Sequence, residues 1–445
     1  MKKSLLLTLA VMTVPAVAFA SAGIQGECSD CHTMHNSIGG QEVAQIGLPG
    51  GGMTTAAGPV QNLLKMDCIA CHAMDPNGTD KIVTLDGGSQ VPQVVHADPT
   101  GDLAGGNFAY VGDPGTGNNR HGHNVKDLFA GGDDDGYGTS TAGALNNPPG
   151  MYHGDGTNKK FSSVSAFDNF TCAGAKGCHG TRSQMLTGAT DTTTNIFSYT
   201  MRQGIAAISG AHHNSYDGQK SGASYDVADA GRGTHDGAKV AAGYRFIPGL
   251  HGYGNETNRW QNNSATDHNE YYGVQGLTGV TSGCGMCHVT GTAGTGASSR
   301  MTYDSAIRIP NNSMSGFCAT CHGEFHSTGD NAQIEGTGYN GKSGAFLRHP
   351  SDYVIPNSSE YAAYTTYSTT APVARPTLAD SISGTVTPGT DMVMCLSCHE
   401  AHGTPNDYML RFDYNKMIAG NTAAADLGTG CLACHTSKGI LPENR

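Results

Sequence analysis

Cysteine and histidine recur in this chain as one fixed device. Cys28-Ser29-Asp30-Cys31-His32 is followed by five stretches of the same C-x-x-C-H form: Cys68-Cys71-His72, Cys284-Cys287-His288, Cys318-Cys321-His322, Cys395-Cys398-His399 and Cys431-Cys434-His435. A seventh, Cys172 to Cys178-His179, sets five residues between the cysteines. Together they use all 14 cysteines. C-x-x-C-H is the attachment signature of c-type haem: the two thiols add across the porphyrin vinyl groups and the histidine ligates the iron from one side. The expected cofactor is therefore seven covalently bound c-type haems and their irons.

Disulfides are the other common use of many cysteines in an oxidising compartment. Histidine accounts for only 20 of 445 residues, yet it directly follows the second cysteine of every pair. A disulfide framework does not explain that placement. At the wider site a Cys172–Cys178 disulfide remains the alternative.

The composition agrees with a chain built around rings. Hydrophobic residues make up 37%, glycine 64 positions and tryptophan one, Trp260. The polypeptide alone is poorly equipped to bury a core suited to its length. Seven porphyrins would supply one ring per roughly 60 residues.

Residues 1–20 read as a secretory signal: Lys2 and Lys3, an apolar run from Leu5 to Val17, and Ala18-Phe19-Ala20 for cleavage. The mature chain is expected to be one domain over 21–445, exported to the cell surface or beyond, with the periplasm as the alternative. No later run has the 18 or so apolar residues of a membrane span. The formal charge of −12 falls to −14 without Lys2 and Lys3. A field of that sign disfavours nucleic acid and acidic membranes, and favours basic partners or metal ions.

The attachment sites fall as a pair, a single, a pair and a pair, at intervals with no repeat period. Between them the chain is rich in Gly, Asn, Asp, Ser and Thr, as in Gly131-Gly132-Asp133-Asp134-Asp135-Gly136, which reads as a solvated turn. The expected fold is irregular: mostly coil with short helices and few strands, wrapped around a chain of stacked haems. Short helices are expected at the attachment sites and around Met417 to Leu427, and a strand-like piece at Tyr244 to Ile247.

Thirteen histidines lie outside the attachment motifs, and seven would give every iron a second axial histidine. His35 and His402 follow attachment histidines by three residues and His326 follows one by four. Three residues reach at most roughly 11 Å, too little to wrap around the porphyrin that the same segment carries. Each such histidine, as a ligand, must serve a different haem. With His123, His349, one of the pair His212-His213 (taken as His213) and His268, they make the expected distal set, with His96 in reserve. Methionine, of which there are 16, is the competing axial ligand.

The patches G-E-C-S-D-C-H-T-M-H-N-S at 26–37, G-H-N-V at 122–125, F-C-A-T-C-H at 317–322, L-R-H-P at 347–350 and C-L-S-C-H-E-A-H at 395–402 lie in order along the mature chain. In them the chain resembles the extracellular multihaem c-type cytochromes that polymerise into electron-conducting filaments, especially the hexahaem type. It departs from that type in having a seventh site. Between 172 and 288 the text G-A-H-H-N at 210–214 and D-H-N-E-Y-Y-G at 267–273 is closer to other exported multihaem cytochromes. The resemblance implies a homopolymer in which His35 ligates a haem of the neighbouring subunit, with redox proteins or extracellular metal oxides as electron partners.

Three functions are compatible with these residues. A conduit passes single electrons along closed, bis-histidine irons. A multihaem reductase needs an iron with an open position, for which the 172–179 site is the natural candidate. A monomeric periplasmic shuttle shares the conduit's chemistry and differs in location and assembly.

Overall fold

The computed structural model describes residues 26–60, 63–98, 101–111, 119–125, 127–128, 171–173, 177–179, 247, 249–251, 262–273, 277–278, 302–303, 313–319, 349, 351, 353–379 and 381–440. The signal segment, the acidic turn at 131–136, Tyr244 to Arg245-Phe246, and the site residues His213, Cys284, Cys287, His288, Cys321, His322 and His326 lie outside them.

Regular structure is brief, and its α-helices collect at the cysteines. The four α-helices described are α1 (Cys28–Cys31), α2 (Cys68–His72), α3 (Met314–Ala319) and α4 (Cys431–Cys434), and a 3-10 turn spans Cys395–Ser397. Each lies on an attachment motif. α2 shows why so short a helix holds: the Asp67 carboxylate caps it by accepting the Ala70 N–H at 2.8 Å, and also takes the Gly47 N–H at 2.9 Å. Beyond one turn there is nothing to extend it, since Ala73 leaves helical geometry.

The wider motif solves the same spacing problem differently. Thr171–Ala173 and Gly177–His179 form a parallel pair with Thr171 opposite Gly177 and Ala173 opposite His179. That register sets Cys172 across from Cys178, at the strand spacing of about 4.8 Å. On a helical turn, cysteines three apart present their side chains at about 5–6 Å. Strand pairing thus brings two thiols together across five residues as a helical turn does across two.

The largest sheet has five strands, in the order Tyr353–Val354, Met392–Val393, Ala374–Arg375, Glu270–Tyr272 and Leu250–His251. Its centre is held by charge. Arg375 donates from Nε to Glu270 and from Nη1 to Asp391, both at 2.6 Å, and from Nη2 to the Thr385 carbonyl at 2.7 Å. Glu270 in turn accepts the Ser383 N–H at 2.7 Å. A guanidinium with both forks occupied, set among carboxylates that accept backbone N–H groups, meets the condition under which a buried ion pair is tolerated.

The apolar core is divided into three small clusters, and attachment cysteines pack on each. Ile69, Val95, Phe108, Val125 and Leu128 meet Cys172; Tyr271, Met314, Phe317, Met392 and Met394 meet Cys178 and Cys318; Ile355, Tyr364, Tyr367 and Val373 meet Cys434. The two cysteines of the wider motif therefore pack on different clusters. The expectation of an irregular chain of short elements holds for the described residues. The helix expected over Met417 to Leu427 does not form: after a 3-10 turn at Tyr414–Lys416 the chain runs through turns, with Gly420 and Gly428 at φ of +77° and +76°. Glycine in the left-handed region ends helical continuation at both positions.

Candidate functional site

Attachment sites distant in sequence stand beside one another. Burial pushes the Cys71 thiol up to about 12, and the nearby Cys31 thiol adds to it, so the first two motifs are neighbours. Cys172 is likewise raised by burial, with Asp127 and then Cys68 contributing, which brings the wider motif against the second. Cys178 and Cys318 share a cluster. The Cys395 N–H donates to the Ser315 hydroxyl on α3 at 3.3 Å. Cys398 and Cys434 are each pushed to about 12 by burial, Cys398 with Cys431 adding to it and Cys434 with Cys398. The described cysteines thus form a continuous series from Cys31 to Cys434.

The histidines are oriented through their backbone-facing nitrogens. Nδ1 of His72 donates to the Pro92 carbonyl at 2.9 Å, that of His399 to the Tyr408 carbonyl at 2.8 Å, and that of His123 to the Ala401 carbonyl at 2.6 Å. A carbonyl can only accept, so each bond fixes the tautomer that carries its lone pair on Nε2. Second-sphere bonds of this kind orient imidazoles on a metal. His399 lies close enough to His123 that the second imidazole holds its pKa down further, after desolvation and against the Cys395 and Tyr408 contributions.

Two pairs of histidine rings stand at similar separations, with their planes at 51° and 83°. The rings of His179 and His402 have centroids 6.2 Å apart, and those of His349 and His435 6.4 Å apart. Two imidazoles on opposite sides of one metal, at about 2 Å per metal–nitrogen bond, have centroids roughly 6 Å apart. Phe108 stacks on the His402 ring at 4.7 Å, and the backbone N–H of His402 donates to the Gly105 carbonyl at 2.6 Å. Desolvation, with His179 second, lowers its pKa to about 3, so the ring is neutral and able to ligate. His402 thus meets a histidine of another motif, not of its own, as the reach of three residues requires.

Cysteines paired on one turn or one strand register, Nε2 lone pairs fixed from behind, and facing imidazoles at the span of an intervening metal all fit covalently bound c-type haem. His32 lies on the strand-like bridge to Leu64 and is half-buried. His35, next to Met34 at 76% exposure, is exposed to solvent.

His268, of the expected distal set, packs beside the five-stranded sheet. Its Nδ1 meets the Ser264 carbonyl at 3.0 Å, its Nε2 meets Glu270 at 3.3 Å, and its ring stacks on Tyr367 at 3.5 Å. Both nitrogens face acceptors of the sheet, so the ring serves the Arg375 network. The reserve, His96, is also built into the fold, with Asn107 donating to its carbonyl at 2.8 Å and Asp102 3.6 Å from its Nε2. The residue that sequence reasoning missed is Glu360, whose Oε1 lies 2.7 Å from Nδ1 of His435. Its 75-residue separation from that histidine left no local signal.

Residues 387–440 match the family described as the doubled CXXCH motif, which covers the last two attachment sites. The C-type cytochrome OmcS of Geobacter sulfurreducens is 25% identical over 433 residues, covering 93% of this chain and 86% of that protein. Two solved structures from the same organism, the cryo-EM structure of the OmcS nanowires and that of the Outer Membrane Cytochrome S filament, are each 18% identical with a TM-score of 0.33. They cover 95% of this chain and, respectively, 95% and 93% of their own. By its sequence match this chain is homologous to the c-type cytochrome OmcS, and it ends in the doubled C-x-x-C-H element.

Proposed function

We propose that the chain conducts electrons through seven covalently attached haems, each held between two histidines, and that copies of it join into a filament. The observation that carries this reading is the pair of facing histidines, His179 with His402 and His349 with His435, at 6.2 and 6.4 Å. When bound, each haem supplies a one-electron ferric/ferrous couple.

The protein's contribution is to close and orient. His402 serves the iron of His179, His349 that of His435, and His123 that of His399. His213 and His326 serve other irons of the chain, and His35 serves one in the neighbouring copy. In place of His268, the remaining distal ligand comes from His96, His121, His153, His212, His235 or His251. With both axial positions taken, no iron offers a place for substrate, which favours the conduit over a reductase. The neighbouring cysteines from Cys31 to Cys434 support a line of haems through residues 21–445 as one domain. The signal segment read at 1–20 supports export, to the cell surface or beyond, with the periplasm as the alternative.

Assembly is supported by the surface as well as by the filaments of the homologue. Met34, Ile38, Ile46, Leu48, Met53 and Leu63 are exposed hydrophobic residues within one stretch that includes His35. Tyr408, Tyr414 and Ile418 form a second exposed group far along the chain. Two different apolar surfaces suit a head-to-tail contact, which propagates into an open polymer when it does not close into a ring.

The test is His402→Ala and His349→Ala, with haem counted by intact mass. Each variant is expected to keep seven haems and to convert one iron to a high-spin ferric state that binds carbon monoxide after reduction. A native protein that already binds carbon monoxide, or variants that stay wholly low-spin, would overturn the ligand assignment. Electron micrographs of the secreted protein test assembly: only isolated particles at high concentration would refute the polymer.

A further inference from the structure

We infer that Glu360 is a positioning residue that lowers the reduction potential of the haem held by His435, an inference resting on the ligand assignment above. Three proximal histidines differ in what stands behind them. His72 and His399 donate from Nδ1 to the backbone carbonyls of Pro92 and Tyr408. His435 donates to a carboxylate, Glu360 Oε1, at 2.7 Å. A charged acceptor draws the Nδ1 proton more strongly than a carbonyl and leaves more negative charge on the ring. Nε2 becomes the stronger donor, the ferric state gains more than the ferrous, and the potential falls.

The contact is held from several sides. Glu360 lies in the 3-10 turn Ser359–Ala363, which packs on α4, and Ser359 enters that turn at φ +55°, unusual for a residue with a Cβ. The Thr436 hydroxyl donates to the Glu360 carbonyl, tying the turn to the residue after His435. Tyr361 sets its ring across that of His435 at 5.1 Å, limiting rotation. The second carboxylate oxygen, Oε2, faces Lys438 Nζ at 3.1 Å. The carboxylate thus stands between the imidazole and an ammonium, and the ammonium draws off part of its charge.

Two substitutions test the role with opposite signs. Glu360→Gln keeps a hydrogen-bond acceptor and removes the charge, and Lys438→Met removes the opposing ammonium. In spectroelectrochemical titrations of the holoprotein, E360Q is expected to raise one haem's reduction equilibrium about tenfold, or about 59 mV for a one-electron couple. K438M is expected to lower the same transition by less, because Lys438 is more than half exposed. Seven haems by mass and an unchanged low-spin spectrum in both variants accompany this result. Loss of a haem in E360Q, or no movement of any transition in either variant, would overturn the inference. His349→Ala separates the two readings: if it opens one iron while E360Q moves nothing, the role of Glu360 fails and the ligand assignment stands. If it opens none, the ligand assignment itself fails.

Discussion

His179 and His402 come from opposite halves of the chain, and their rings face each other at 6.2 Å. In the proposed ligand assignment, His402 closes the wider attachment motif on its distal side. The His402 segment is itself tied by backbone to residues 122–123: Gly122 and Gly403 form a bridge, and the His123 N–H donates to the His402 carbonyl at 3.1 Å. A seventh haem inserted at 172–179 needs no added ligand segment, because His402 has no reach to its own motif's iron.

Gly105 limits how far His402 can move. A Cβ there would lie 2.8 Å from Cε1 of the His402 ring, a distance at which one of the two must shift. Gly105→Ala is expected to push the ring off axis and give partial high-spin character and carbon monoxide binding at one haem. Haem content by mass stays at the wild-type value. A wholly low-spin G105A protein would show that the space at Gly105 does not set the position of the ring.

Much of this was legible in the sequence where the determinants are local. C-x-x-C-H specifies one helical turn, and helices form on those residues and scarcely elsewhere among the described ones. Glycine and short polar residues specify turns, and turns follow. Cys172 and Cys178 mark where local reading stops, since five intervening residues do not reveal a parallel strand pair. The choice of partner for each histidine was invisible for the same reason: His402 is fixed by Phe108 and Gly105, and His435 by Glu360, contacts that the spacing of residues does not encode. Met417 to Leu427 misled because its helix-forming residues are interrupted by Gly420 and Asn421, and in a chain of small clusters no long apolar face exists to override that interruption.

Arg375 has a different kind of importance from any ligand. It joins Glu270, 105 residues earlier, to Asp391, 16 residues later, inside the five-stranded sheet. Arg375→Ala leaves two carboxylates buried without their cation and is expected to cost about 3–5 kcal/mol. The check is denaturant unfolding followed by tryptophan-independent haem absorbance and by circular dichroism. Replacing the three together, E270Q with R375M and D391N, should recover much of the loss. A loss below about 1 kcal/mol in R375A would place the network at the level of a surface pair.

His268 shares that network, and its removal separates a fold residue from a ligand. His268→Phe keeps a flat ring to stack on Tyr367 and gives up the contact with Glu270. The expected protein is less stable, with every iron still low-spin and no carbon monoxide binding. The appearance of one high-spin iron would return His268 to the distal set and remove it from the sheet's account.

In the proposed filament, His35 is the residue on which assembly turns. It is exposed beside Met34 and Ile38, at 76% and 63% exposure, in a chain whose formal charge is −12. Copies of such a chain repel one another, and salt screens that repulsion within about 10 Å at 0.1 M. Polymerisation should therefore strengthen as salt rises, the apolar surface supplying the contact and His35 the link to the neighbour's iron. His35→Ala should give particles of monomer mass by light scattering, with the full haem complement and one iron opened. Met34→Ser with Ile38→Ser, which spares the ligand, should weaken assembly in a way that higher salt partly restores. Polymers of undiminished length in H35A, at low salt, would mean that the imidazole does not cross between subunits.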